Sequence, residues 1–228
     1  MGFTIGGMRE IRELRLVPRI PRLRGRAPEG TAVAEYTGLW GWDVQPGTRI
    51  RRLAGGRAGC SCENAECPLP GAHPRNPALL IRAGSPLHEV AAAWERTPGA
   101  TVLLPVGRTF DVIDVPGAAG HRALARLERL ALPCGPVAVA PHGRAWFFVA
   151  PGAAAELTGL LYRAGWDGAL LDLRGLGPGA HITAPPSDHA GLGPVRWLRP
   201  PDLETAARPP EARLLLGALA YACHRAGE

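Results

Sequence analysis

Apolar residues broken by Asp111 and Asp114 run through Thr109-Phe-Asp-Val-Ile-Asp-Val-Pro-Gly117, and as a β-strand their side chains alternate between two faces. The alternation puts Phe110, Val112 and Asp114 on one face and Asp111, Ile113 and Val115 on the other. An apolar strand that ends in a carboxylate, then Pro-Gly and a helical segment, is where an α/β or α+β enzyme holds a metal. The rest of the pattern fits around it. Helical spacing predicts a helix over 31–38, and Gly41-Trp-Asp-Val-Gln-Pro46 predicts a short strand. Ser85-Pro86 opens a further helix as N-cap and first helical proline, with Leu87, Val90, Ala91 and Trp94 facing the core.

Two apolar runs, 101–106 and 108–115, are separated by Gly107 and predict an antiparallel hairpin. A helix over 118–132 turns Leu124, Leu127 and Ala131 inward and Arg122, Arg126 and Arg129 outward. Strands 136–140 and 145–149 flank Pro141-His-Gly-Arg144, and a helix over 153–164 stops at Gly165. A strand pair at 169–173 and 181–184, a strand at 195–198 and a helix around 211–225 complete the chain. The organisation is a basic arm over 1–30, one α+β domain over 31–203 and a C-terminal helix within 204–228.

Charge adds a partner class. The net charge is +6, the pI is near 9.6, and every basic residue is arginine. That balance fits a polyanion such as nucleic acid, or a generic basic surface. The arginine-rich arm, broken by Pro18, Pro21 and Pro28, is a solvated tail or a phosphate-binding segment. No apolar run approaches the ~18–20 residues that span a bilayer, so no membrane association is expected. With no secretory leader either, the expected compartment is the cytoplasm.

The five cysteines are an odd number and three are clustered, which argues against a disulfide framework. Cys60, Cys62, Cys67 and His73 fall within fourteen positions. Three thiols and an imidazole so spaced can close a tetrahedral site of the kind zinc prefers, or they stand as unliganded thiols. Gly59, Pro68, Pro70, Gly71 and Pro74 favour an irregular knuckle over 59–75 within a loop over 47–77. Cys134 and Cys223 stand alone as small apolar residues.

The ordered set of these segments resembles the N-terminal domain of bifunctional DNA primase/polymerases, in the archaeo-eukaryotic primase superfamily. The segments are Gly41-Trp-Asp-Val-Gln-Pro46, the knuckle ending Pro-Gly-Ala-His-Pro-Arg75, the helix with Trp94, and Phe110-Asp-Val-Ile-Asp-Val115. They continue with Gly143-Arg-Ala-Trp-Phe-Phe148, Leu171-Asp-Leu-Arg-Gly175 and Ala184-Pro-Pro-Ser-Asp-His189. The resemblance covers roughly residues 38–201. It implies an RRM-like antiparallel sheet backed by helices, with an additional α/β unit and the Cys/His knuckle. It also implies a two-metal nucleotidyltransferase site, in which an Asp-x-Asp pair and a third acid hold Mg2+ or Mn2+.

Carried over residue by residue, Asp114 matches the first acid and Asp172 the third, as catalytic and metal-binding residues. Pro116 stands where the second acid belongs. The family's nucleotide-contacting histidine falls at Trp146, or at Ala145 under a one-residue shift. Asp111 lies on the other face, and His142 sits in a turn. With the family's geometry, Arg174, Ser187 and His189 line a phosphate pocket; otherwise they serve as ordinary turn and strand-end groups. Arg144 contacts a template backbone or is a surface arginine. Two readings of Trp146-Phe-Phe148 stand: rings exposed on the sheet stack bases, or the run packs in the core.

Two function classes follow. One is a template-dependent nucleotidyltransferase acting on nucleic acid and nucleoside triphosphates. The other is a non-catalytic relative that binds nucleic acid, nucleotide or a replication or regulatory protein on the same scaffold. A zinc-stabilised interaction module is a third, weaker reading.

Overall fold

The computed structural model describes residues 28–62, 64–166 and 170–227, so the basic arm lies outside the described residues up to position 27. In chain order the first elements are α1 (Pro28–Gly38), β1 (Gln45–Pro46), β2 (Ile50–Arg52), β3 (Ala58–Cys60), α2 (Leu87–Glu95) and β4 (Val102–Pro105). Then come β5 (Asp111–Pro116), α3 (Gly117–Arg129), β6 (Val137–Ala140), β7 (Arg144–Val149) and α4 (Ala153–Arg163). The last are β8 (Arg174–Leu176), β9 (His181–Thr183), β10 (Arg196–Arg199), α5 (Leu203–Ala207) and α6 (Ala212–Gly227). The fold is α+β, as expected.

Its centre is a five-stranded antiparallel sheet in the order β10-β6-β7-β5-β8. Strand alternation sends its side chains into two cores. Ile113, Val115, Ala145, Phe147 and Val149 face α3, α4 and α6, where Leu124, Leu127, Leu157, Leu215 and Leu219 close the layer. Val112, Ala138, Trp146 and Phe148 face the opposite way, towards β4, β9, α1 and α2. That second core is built on Trp42, which has no solvent exposure. Its ring lies 5.2 Å from Phe110 and 5.3 Å from Phe148, and its indole N–H donates to the Ala206 carbonyl at 3.1 Å. A sheet buried on both faces explains the nearly unbroken apolar run of β7 and the apolar residues on both faces of β5.

Several expected pairings are corrected. The predicted hairpin of 101–106 with 108–115 does not form: β4 joins a separate three-stranded sheet, β1-β4-β9, while β5 lies between β7 and β8. Gly107, at φ +105°, bends the chain from one sheet to the other, and any Cβ there would lie 2.5 Å from the Pro178 backbone. The predicted pair 169–173 with 181–184 is likewise split. The strand begins later, at Arg174, and β8 pairs with β5, whereas β9 pairs with β4. β4 and β5 are buried along both faces, and β8 and β9 are only three residues each, so pattern alone does not say which edge each joins.

Smaller departures follow the same logic. The 47–77 loop contains a β2–β3 hairpin, which the prolines and glycines had masked. Ser85 does not cap α2: the N-cap position is Pro86, with no side-chain cap, and within the helix only Val90 is buried while Leu87 is exposed. Ala131 lies past the end of α3 at φ +50° and is exposed, not inward. Trp146, Phe147 and Phe148 are all buried, so none offers an open ring to a base. The strand pair around Pro141-His-Gly-Arg144 and the helix ending before Gly165 form as predicted. No helix among the described residues is long and apolar enough to cross a membrane.

Candidate active site and metal knuckle

The antiparallel register of β5 sets the site. Asp114 lies opposite Trp146 on β7 and opposite Arg174 on β8, and Pro116 lies opposite Arg144. Partners directly opposite on antiparallel strands share a face, so all five side chains start from one side of the sheet. The tight approach after Pro116 is fixed by the Gly117 N–H donating to the Gly143 carbonyl at 2.6 Å.

From its place across from Pro116, Arg144 reaches diagonally to both candidate carboxylates. Its Nε–H donates to Asp114 Oδ1 at 2.8 Å, and its Nη1–H donates to Asp172 Oδ2 at 2.6 Å. A third donor, Nη2–H, meets the Asp114 carbonyl at 3.3 Å. Burial works against the Arg144 charge, but the hydrogen bonds and negative charges of Asp114 and Asp172 outweigh it and raise its pKa. The Asp114 side chain is 11% exposed and Asp172 52%. Arg174, 68% exposed, stands 3.7 Å from the other Asp172 oxygen.

The remaining expected residues are placed as follows. Ser187 is buried, and its Oγ accepts the Val102 N–H at 2.8 Å, so it ties the 184–189 turn to β4. His189 is buried, with Nδ1 2.9 Å from Thr183 Oγ1, and its ring stacks on His142 with centroids 4.3 Å apart. Trp146 stands edge-on to His189 at 5.7 Å. Burial and the neighbouring His142 push the His189 pKa down to about 4. Burial likewise lowers that of His142, against the pull of nearby Asp114 and with the push of Arg144. Asp114, Asp172, Arg144 and Arg174 therefore form one cluster. The histidine pair borders it through Trp146 and His142, while Ser187 works on the backbone behind.

Sequence reasoning missed the bridging role of Arg144 and a second acid with a structural task. Asp111, on the opposite face of β5, has no solvent exposure, and its Oδ2 accepts the Ala154 N–H at 2.8 Å in the first turn of α4. A carboxylate at that end complements the helix dipole. Gly175 on β8 permits the contact: a Cβ there would lie 2.8 Å from Ala154 Cα. The alternation of acids along β5 was the available signal, but it says nothing about which helix end lies opposite.

The knuckle comes together as a second site. The Sγ atoms of Cys60, Cys62 and Cys67 and a ring nitrogen of His73 lie within 4.8 Å of one another. His73 Nε2 is 3.3 Å from Cys60 Sγ and 3.4 Å from Cys67 Sγ. Ideal tetrahedral zinc bonds separate sulfur and nitrogen ligands by about 3.5 Å, close to both of these separations. His73 Nδ1 lies 3.3 Å from the Pro74 carbonyl; a proton on Nδ1 leaves Nε2 to ligate, the usual outer support of a metal-bound imidazole. The four residues could hold a metal, which would pin the β2–β3 hairpin to the segment before α2.

A family model described as "Bifunctional DNA primase/polymerase, N-terminal" matches residues 33–212, most of the 228-residue chain. The chain belongs to that family. No curated protein and no solved structure matches it. The primase/polymerase match takes in β5, β7, β8 and the knuckle. Membership brings with it a family that is metal-dependent and acts on nucleotides and nucleic acid.

Proposed function

We propose that this chain is a primase/polymerase-family domain that binds nucleotide or nucleic acid without transferring nucleotides, its catalytic cations having been exchanged for a fixed arginine. The observation that carries this reading is the Arg144 bridge between Asp114 and Asp172. A two-metal centre needs carboxylates that are free to ligate and whose summed charge offsets the cations. Here the position of the second acid is Pro116, and the two remaining carboxylates already share the charge of one guanidinium. The donor set does not fit Mg2+ or Mn2+.

What remains suits recognition. Arg174 and the outer part of Asp172 are exposed at the end of the sheet, and an arginine fork is well matched to phosphate. The neutral, stacked His142–His189 pair adds a flat polar wall beside them. For the knuckle, the thiolate-rich donor set points to zinc in a structural role, since all four positions of a tetrahedron come from the protein.

The test is primer extension and primer synthesis from nucleoside triphosphates with Mg2+ or Mn2+, run beside single-strand binding by fluorescence anisotropy. Wild type is expected to incorporate no nucleotide while binding the strand, and Asp114→Ala is expected to gain no activity. Incorporation by wild type that disappears in Asp114→Ala would establish the two-metal nucleotidyltransferase instead. Neither incorporation nor strand binding would leave protein binding as the function of the scaffold.

A further inference from the structure

A cavity of about 330 Å³ opens beside the knuckle, between β1 and the end of α2, and shares no residue with the Asp114–Arg144–Asp172 cluster. Arg49, Arg75 and Arg96 all line it. None of the three side chains makes an ion pair among the described residues, and no carboxylate among those residues lines the cavity. Elsewhere on this surface arginines do find acids, as Arg108 does with Asp43 at 2.7 Å. Three arginines lining one cavity without a counter-charge repel one another unless an anion joins them.

The other polar wall groups point to the same ligand. Ser61 Oγ already accepts the Arg49 backbone N–H at 2.8 Å, which leaves its hydroxyl proton to donate inward. Asn76 Oδ1 accepts the Ala78 N–H at 3.0 Å, which leaves its NH2 group. Arginine has donors only. The polar lining thus offers donors and little else, the complement of a phosphate's acceptor oxygens. Leu79 and Pro98 supply an apolar wall for the remainder of the ligand. The volume falls at the lower end of small-molecule sites, right for one nucleotide-sized group and too small for a folded partner.

The geometry points to a phosphate-binding site at Arg49, Arg75 and Arg96, filled by the phosphates of a nucleotide or of a nucleic-acid strand. This stands whether or not the Arg144 bridge abolishes catalysis. Calorimetric titration of the full chain with inorganic pyrophosphate, a nucleoside triphosphate and a 5′-phosphorylated single-stranded oligonucleotide tests it. Arg75→Ala/Arg96→Ala removes two exposed guanidinium groups that hold no internal partner, so the fold is expected to survive, with thermal unfolding as the check. Binding of the responsive probe is expected to weaken at least about tenfold, roughly the effect of losing one or two charge-assisted hydrogen bonds. Arg129→Ala, on the outer face of α3, is expected to bind like wild type. Weakening confined to pyrophosphate and the triphosphate assigns the site to a free nucleotide; weakening of the oligonucleotide as well assigns it to a strand. Equal binding by the folded double variant and wild type overturns the proposal, as does failure of wild type to bind any of the three probes.

Discussion

Arg144 gives up solvent at a nearly buried position and recovers that cost mainly through its two carboxylates, so its partners differ sharply in what they risk. Arg144→Ala leaves Asp114 as an almost buried charge without its counter-ion, and such a loss costs about 3 kcal/mol or more. Asp172→Ala removes a half-exposed partner in water, and the expected cost is about 1 kcal/mol or less. Urea denaturation of the two variants checks the asymmetry; equal small costs would mean that Arg144 only leans on the site. His189 makes a pH prediction. Its folded pKa of about 4 lies below the ordinary value of 6.5, so as pH falls the unfolded chain takes up the proton first. The contribution is complete above pH 6.5 and is lost on going down to about 4, on the order of 2–3 kcal/mol. His189→Gln should flatten that part of the stability-versus-pH curve, and an unchanged slope would assign the acid loss to other groups.

At the level of elements, short pieces are held by contacts that sequence pattern does not register. β2 and β3 are three residues each, too short to persist as an isolated hairpin, and the Cys60–Cys62–Cys67–His73 cluster supplies their anchor. Elemental analysis is expected to find one zinc per chain in wild type and little in Cys62→Ser, with a lowered thermal midpoint in the variant. A wild-type chain free of zinc and equally stable would remove the metal from the knuckle. The α4 N-terminus is held in the same non-local way, by Asp111 on β5. The hairpin expected between 101–106 and 108–115 failed at this scale because each strand found better partners elsewhere, in different sheets.

For the whole molecule, the central sheet separates two cores, and the candidate site sits where strands β5, β7 and β8 meet on the face turned towards β4 and β9. α6 is part of the helical core, with Leu215, Leu216 and Leu219 almost fully buried. Much of this was legible in the chain itself. Period-two alternation located β5 and its two faces, period 3.6 located α3 and α4, and ligand spacing located the knuckle, because these are local properties of consecutive residues. The identity of position 116 as proline was equally plain. Which strands pair was not legible, since strands buried on both faces, or only three residues long, carry no mark of their neighbours. Arg144 shows why this matters. In the sequence it is one surface-like arginine in a turn, thirty positions from Asp114. Its guanidinium becomes the partner of both aspartates only because β7 pairs with β5 in a register that sets it across from Pro116. The sequence by itself determined the fold class, the family motifs and a proline at position 116, leaving Asp114 and Asp172 as candidate carboxylates. Only the tertiary structure decided what fills the place between the two that remain, because the contact joins side chains from different strands and the chain encodes it through packing, not spacing.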